Sequence, residues 1–110
     1  MSVVLYNKTV SVPCIGLLDS GNLLTMPLSG NPVHIADAAL LQKLVDEKTV
    51  QKEIPYRALG NPQGKLQVYC MDGMKVETEP AKFCDWKQVW VGCAENGVLC
   101  NKPYQLILHA

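Results

Sequence analysis

Apolar residues fall in short extended runs along most of this chain, and clusters of turn residues separate the runs. Val3 to Tyr6 and Thr9 to Leu18 are rich in β-branched and apolar side chains, which suit a pleated strand. Asn7-Lys8 between them predicts a two-residue hairpin turn. Pro27, Ser29, Gly30, Asn31 and Pro32 mark a loop, and Val33 to Ile35 follows as a short strand. One segment changes period. Asp37 reads as an N-cap, and Leu40, Leu41, Leu44 and Val45 then recur at helical spacing, which predicts a short amphipathic helix over 38–45 packed on the core.

From Ile54 to Leu59 the strand pattern returns. Gly60-Asn61-Pro62-Gln63-Gly64 is a turn cluster ahead of Lys65 to Met71, so Tyr56 to Tyr69 predicts a hairpin with a glycine-bearing tip. Asp72-Gly73 predicts a second, tighter hairpin leading into Met74 to Thr78. Phe83 to Val91 and Val98 to Leu108 complete the strands, with Glu95-Asn96-Gly97 as a turn between them. The expectation is one domain over residues 1–110, mostly β, with six or more strands and one short helix.

Composition narrows the function classes. Hydrophobic residues make up 48% of the chain, which predicts a packed globule rather than disorder. Ten basic and ten acidic residues balance, and the lysines are scattered, so nucleic acid is not expected as a ligand. No apolar run is long enough to span a bilayer and no signal-peptide order opens the chain, so the fragment is expected to be soluble. The five cysteines, Cys14, Cys70, Cys84, Cys93 and Cys100, show no C-x-x-C spacing, and His34 and His109 lie far from any such pair. Reduced, mostly buried thiols are expected, with no metal site and no cofactor.

The candidate chemistry lies at Asp19-Ser20-Gly21. The apolar run Ile15-Gly16-Leu17-Leu18 delivers one carboxylate into a tight turn that Asn22 extends. A carboxylate at the end of a buried strand costs free energy unless it is hydrogen-bonded or shares a proton with another acid. By itself the triplet is also an ordinary turn. Order along the chain adds weight: the Asp turn comes first, then the hairpin at Tyr56 to Tyr69, then the apolar run Val89-Trp90-Val91 closed by Gly92. This order resembles a retroviral-type aspartic protease subunit. The resemblance implies a closed retropepsin-like β-barrel that works as a two-fold homodimer, with a flap folding over the peptide and the apolar-Gly segment beside the catalytic loop.

A narrower match rests on Leu17-Leu18-Asp19-Ser20-Gly21-Asn22, Pro27-Leu28, Pro32-Val33, Ile54-Pro55-Tyr56-Arg57-Ala58-Leu59-Gly60, Val91-Gly92 and Leu106-Ile107-Leu108-His109. These segments resemble the protease domain of the sporulation sigma-E factor processing peptidase family. That resemblance implies an aspartic endopeptidase that removes the pro-segment of a sigma factor precursor. It also implies a parent protein held at the cytoplasmic face of the cell membrane by a multi-span N-terminal domain that this chain lacks, and a signal protein acting through that domain. Where family members tend to carry an acidic residue before the proline after the turn, this chain has Met26.

Peptide hydrolysis by this route needs two carboxyls sharing a proton. Asp72 reads as a hairpin residue and Asp37 as a helix cap, while Asp46 and Asp85 lie in polar surroundings, so the second carboxyl is expected from Asp19 of another copy. Ser20, Gly21 and Asn22 are then loop supports, and Tyr56, Gly60, Asn61 and Gly64 are flap and substrate-binding residues. The alternative is a non-catalytic barrel of the same fold, serving as a peptide-binding or dimerisation module in which Asp19 is a satisfied turn carboxylate.

Overall fold

An antiparallel β-hairpin opens the fold. The computed structural model describes residues 1–19, 22, 24–58, 61–94, 99 and 101–109, with 57, 58 and 61–63 described by backbone alone. β1 (Ser2–Asn7) and β2 (Val10–Asp19) pair antiparallel from Ser2↔Ile15 to Asn7↔Val10. The turn is therefore Lys8-Thr9, one residue later than the Asn7-Lys8 expected. Lys8 takes the left-handed φ of 56°, and its N–H donates to Asp72 Oδ2 at 2.6 Å. Asn7 is buried instead, with Nδ2 donating to the Leu44 carbonyl at 2.9 Å and to Thr49 Oγ1 at 3.2 Å. A polar side chain with those partners is worth more inside than in a turn.

The remaining elements are β3 (Val33–Ala36), α1 (Ala38–Gln42), β4 (Gln51–Ala58), β5 (Asn61–Glu79), β6 (Lys82–Cys93) and β7 (Leu106–His109). The sheet order is β1-β2-β7-β3-β6-β5-β4, and a further β1–β5 pairing closes the first six of these strands into a barrel. β4 lies outside the closure, paired with β5 alone. Closure depends on strands that change partner along their length. β2 pairs β1 through Ile15, then β7 in parallel from Gly16↔Leu106 to Asp19↔His109. At the changeover, a Cβ on Gly16 would meet Val3 Cγ2 at 3.0 Å and Leu108 Cδ1 at 3.2 Å, so the bare backbone lets β1 and β7 side chains meet beneath it.

β5 crosses the Asp72-Gly73 pair without turning, contrary to the hairpin expected there. The glycine serves a close approach instead. A Cβ at Gly73 would run into the Tyr6 phenol, which lies across β5 from β1. Tyr6 then donates from its hydroxyl to Asp85 Oδ1 on β6 at 2.6 Å, and accepts from Lys87 Nζ at 2.9 Å. The chain reverses further on, between the paired residues Glu79 and Lys82, where Ala81 has a φ of 63°.

Two other expectations change in extent. α1 ends at Gln42, short of Val45, yet the N–H groups of Leu44 and Val45 still donate to the Leu41 carbonyl. Leu40, Leu41 and Leu44 are buried and Val45 packs against them, so the apolar stripe performs as its spacing predicts. The last strand begins at Leu106 rather than Val98. Pro103 has no N–H to give a ladder, and the described residues 101–105 lie outside any strand. The expected Glu95-Asn96-Gly97 turn lies outside the described residues.

Inside the barrel, Leu5, Met71, Met74, Leu106 and Leu108 are almost fully buried together with Val3, Val76 and Val91. A second cluster, Met26, Val33, Ile54, Leu66 and Val68, joins the start of β3 to the β4–β5 hairpin. Among the described residues, no helix is long and apolar enough to cross a membrane.

Candidate functional site

Asp19 is the last residue of β2, at the point where the ladders joining β2, β7 and β3 run out. Side chains take over from the ladders. The Asn22 N–H donates to the Asp19 carbonyl at 3.0 Å. Asn22, itself buried, donates from Nδ2 to the Val33 carbonyl at 3.3 Å and accepts the Leu24 N–H on Oδ1 at 3.2 Å. Across β3, His34 Nδ1 accepts the His109 N–H at 2.9 Å, and His109 is the register partner of Asp19. The chain from Asp19 through Asn22, Val33, His34 and His109 back to Asp19 forms a ring of hydrogen bonds and strand neighbours. Its hydrogen bonds are made by backbone groups and by the neutral side chains of Asn22 and His34.

His34 is 3% exposed. Burial, and then the neighbouring His109, push its pKa down to about 4, so the ring is neutral at pH 7. Since Nδ1 accepts a backbone N–H, the ring proton sits on Nε2. The imidazole stacks on Trp86 with centroids 6.0 Å apart and planes 15° from parallel.

These rings border a cleft of about 560 Å³ lined by His34, His109, Trp86, Val89 and Trp90, with Asn31, Pro32, Lys87 and Gln88 completing the rim. The floor strand is bent: Gln88 has a φ of 52°, and pairing resumes past it at Gly73↔Lys87. On Trp90, the Lys52 ammonium stands 5.6 Å from the ring centre. The cleft thus begins one strand away from Asp19.

The residues expected in the site are brought together only in part. Asp19 and Asn22 are joined as described. Tyr56 packs in the second apolar cluster beside Leu24 and Trp90, which ties the base of the β4–β5 hairpin to the loop that follows Asp19. Gly64 pairs with Tyr56 inside the hairpin rather than at its tip, because the pairing continues to Ala58↔Asn61 after a bulge. Asn61 opens β5 by its backbone, while Ser20, Gly21 and Gly60 lie outside the described residues. The apolar-Gly segment Val89-Trp90-Val91-Gly92 is in β6, with β3 and β7 between it and β2. The strand beside Asp19 is β7, whose Leu106 and Leu108 fill the barrel interior there.

Asp46, Asp72 and Asp85 have structural duties. Asp72 accepts the Lys8 N–H. Asp46 binds Lys8 Nζ at 2.7 Å, the Lys48 N–H at 2.8 Å and the Thr49 hydroxyl, and the Lys8 bond foremost lowers its pKa to about 2. Asp85 is held below the usual carboxylate range first by the Tyr6 hydroxyl and then by Lys87. Asp37 stands at the helix N-cap position as expected, but its side chain makes no cap hydrogen bond, and its N–H donates to the Gln105 carbonyl. Among the described residues no group of three or more His, Cys, Asp or Glu is placed to hold a metal ion. Sequence reasoning missed the cleft, having weighed His34 and His109 only as zinc ligands. The signal for His109 was position, since it closes an apolar strand as Asp19 does, whereas His34 lies within β3.

The fold is a closed six-stranded β-barrel in which Asp19 ends β2 and a ring-lined cleft begins one strand away. The chain belongs to the sporulation factor SpoIIGA family, whose model matches residues 1–110. It is similar to the sporulation sigma-E factor-processing peptidase of Priestia megaterium, with 26% identity over 131 aligned positions covering 99% of this chain. The chain spans 42% of the length of that relative. No solved structure matches it.

Proposed function

We propose that this chain is the aspartic protease domain of a peptidase that activates a sporulation sigma factor by removing the N-terminal pro-segment of its precursor. One observation carries the reading: Asp19 ends β2 one strand away from the ring-lined cleft, while Asp46, Asp72 and Asp85 are hydrogen-bonded in other parts of the barrel. Family membership and the name of the Priestia relative support the substrate. In this reading residues 1–110 form a single retropepsin-like domain, and two copies bring their Asp19 side chains together across a two-fold axis. The ionised member takes a proton from water as the water oxygen attacks the scissile carbonyl. The protonated member gives its proton to the carbonyl oxygen, and collapse of the tetrahedral species releases the amine with a proton returned from the pair. The dyad titrates as a unit.

The β4–β5 hairpin serves as the flap, hinged on Ile54, Tyr56, Leu66 and Val68. In the full-length parent a membrane domain holds the copies at the cytoplasmic face of the membrane, where confinement raises their effective concentration. A signal protein acting through that domain would set their alignment. The test is cleavage of the sigma factor precursor by Asp19→Asn, alone and mixed in excess with the unaltered chain. Loss of cleavage by the variant and suppression in the mixture are expected. Retained cleavage by the purified variant would falsify the reading, and would leave a peptide-binding barrel.

A further inference from the structure

We propose that the cleft between β3 and β6 is a binding subsite for a flat, uncharged aromatic side chain of the peptide substrate, held between Trp86 and Trp90 with the peptide backbone hydrogen-bonded to His34. The inference rests on the peptidase reading for its biological occupant, and on the cleft's own chemistry for the ligand class.

Location comes first. His109 lines the cleft and is the register partner of Asp19, and paired residues of parallel strands project from the same side of the sheet. A peptide lying across Asp19 therefore has this cleft within reach of a neighbouring side chain. Size agrees: about 560 Å³ accommodates an aromatic side chain with its adjoining backbone. The walls select for shape. Trp86 is 41% exposed although it lines a cleft opposite a buried ring, so it retains a free apolar surface for a flat group to cover.

Charge selects against acids. His34 is neutral at pH 7 because burial disfavours its protonated form. Lys87, on the rim, directs its ammonium to the Tyr6 hydroxyl at 2.9 Å and to Asp85 at 3.0 Å. Lys52 serves the Trp90 ring. What the buried imidazole does offer is a donor. With Nδ1 occupied by the His109 N–H, the Nε2–H is the ring's other polar group, and a peptide carbonyl is its natural acceptor.

Both tryptophans of the chain line this cleft, so their fluorescence reports on its occupancy. The 110-residue chain is titrated with N-acetyl-phenylalanine amide, which is optically silent under tryptophan excitation, and in parallel with the leucine and aspartate equivalents. A saturable change with half-saturation of about 1 mM is expected for the phenylalanine compound. Leucine should bind roughly fivefold more weakly, and Trp86→Ala should weaken phenylalanine by a similar factor, read from Trp90. Aspartate should give no saturable change. Asp19→Asn should bind as the unaltered chain does. A phenylalanine titration without saturation, equal binding of the aspartate compound, or no effect of Trp86→Ala would overturn the proposal. Because none of these arms needs catalysis, they separate from the peptidase reading: if Asp19→Asn stops cleavage while the titrations fail, the subsite falls and the peptidase stands.

Discussion

Two corners of this barrel solve one problem, how to hold strands where a ladder stops, by opposite means. At the Asp19 corner, Asn22 and His34 clip three strand ends with buried, neutral side chains. At the far corner, Tyr6 reaches over Gly73 to an exposed Asp85–Lys87 pair, with Lys87 Nζ also 5.3 Å from the Tyr6 ring centre. The first corner is held by neutral groups beside the carboxylate that ends β2. The second spends charge freely in water, where screening makes it cheap.

The sharpest way to break the comparison is to remove the carboxylate. Asp19→Asn should lower precursor cleavage by roughly 10³-fold or more, since the ionised member of the pair is gone. Its thermal unfolding should stay close to that of the unaltered chain, because the amide is nearly isosteric with the carboxylate and the Asn22 N–H still bonds the residue-19 carbonyl. Equal losses of cleavage and stability would mean that Asp19 is a structural residue.

The next effect is on pH dependence. His34 has its folded pKa lowered to about 4 against an ordinary 6.5, so between these values the unfolded chain binds the proton and the native one does not. Its contribution is fully present above pH 6.5 and is lost as pH falls toward 4, to an extent of about 3 kcal/mol. Denaturant unfolding at several pH values should show that slope. His34→Asn should flatten it while keeping an acceptor for the His109 N–H, whereas His34→Leu should orphan that N–H at a cost of about 1–3 kcal/mol. If His34→Leu unfolds no more easily than His34→Asn, the clip is not what secures β7.

How much of this was legible in the chain differs between the corners in a physical way. Alternation and turn residues revealed the strands, the helical stripe and the Asp19 strand end, because those signals are local. The Tyr6–Gly73 crossing was invisible because its partners come from β1, β5 and β6, and Asp-Gly carries the same local preference whether it turns a hairpin or admits a ring. The clip residues were hidden for a related reason. His34 and Asn22 act on backbone groups of strands that meet only in the closed barrel. The β7 strand beside Asp19 likewise depends on closure, which no local pattern reports.

A smaller effect tests the packing half of the exposed corner. Gly73→Ala places a methyl where the Tyr6 phenol lies and should cost about 1–3 kcal/mol, read from thermal unfolding. Adding Tyr6→Ala to it should recover little, since the ring's own bonds to Asp85 and Lys87 go with it. If Gly73→Ala is neutral, β5 can shift there and the crossing does not fix the β1–β5 closure.

The smallest effect belongs to the charge half of that corner. Lys87 is held protonated above its ordinary range first by its bond to the Tyr6 hydroxyl and then by Asp85, so the ammonium gains from both neighbours. All three groups face water, however, and Asp85 keeps the Tyr6 hydroxyl when the lysine is gone. Lys87→Met should therefore lower the melting temperature by less than Gly73→Ala does, and the difference should fade as salt is raised, because salt already screens the attraction that the substitution removes. Melts of both variants at low and high ionic strength make the measurement. A large drop that salt does not touch would show that this corner is as dry as the one around Asp19, and the contrast between charged and neutral clips would lose its physical basis.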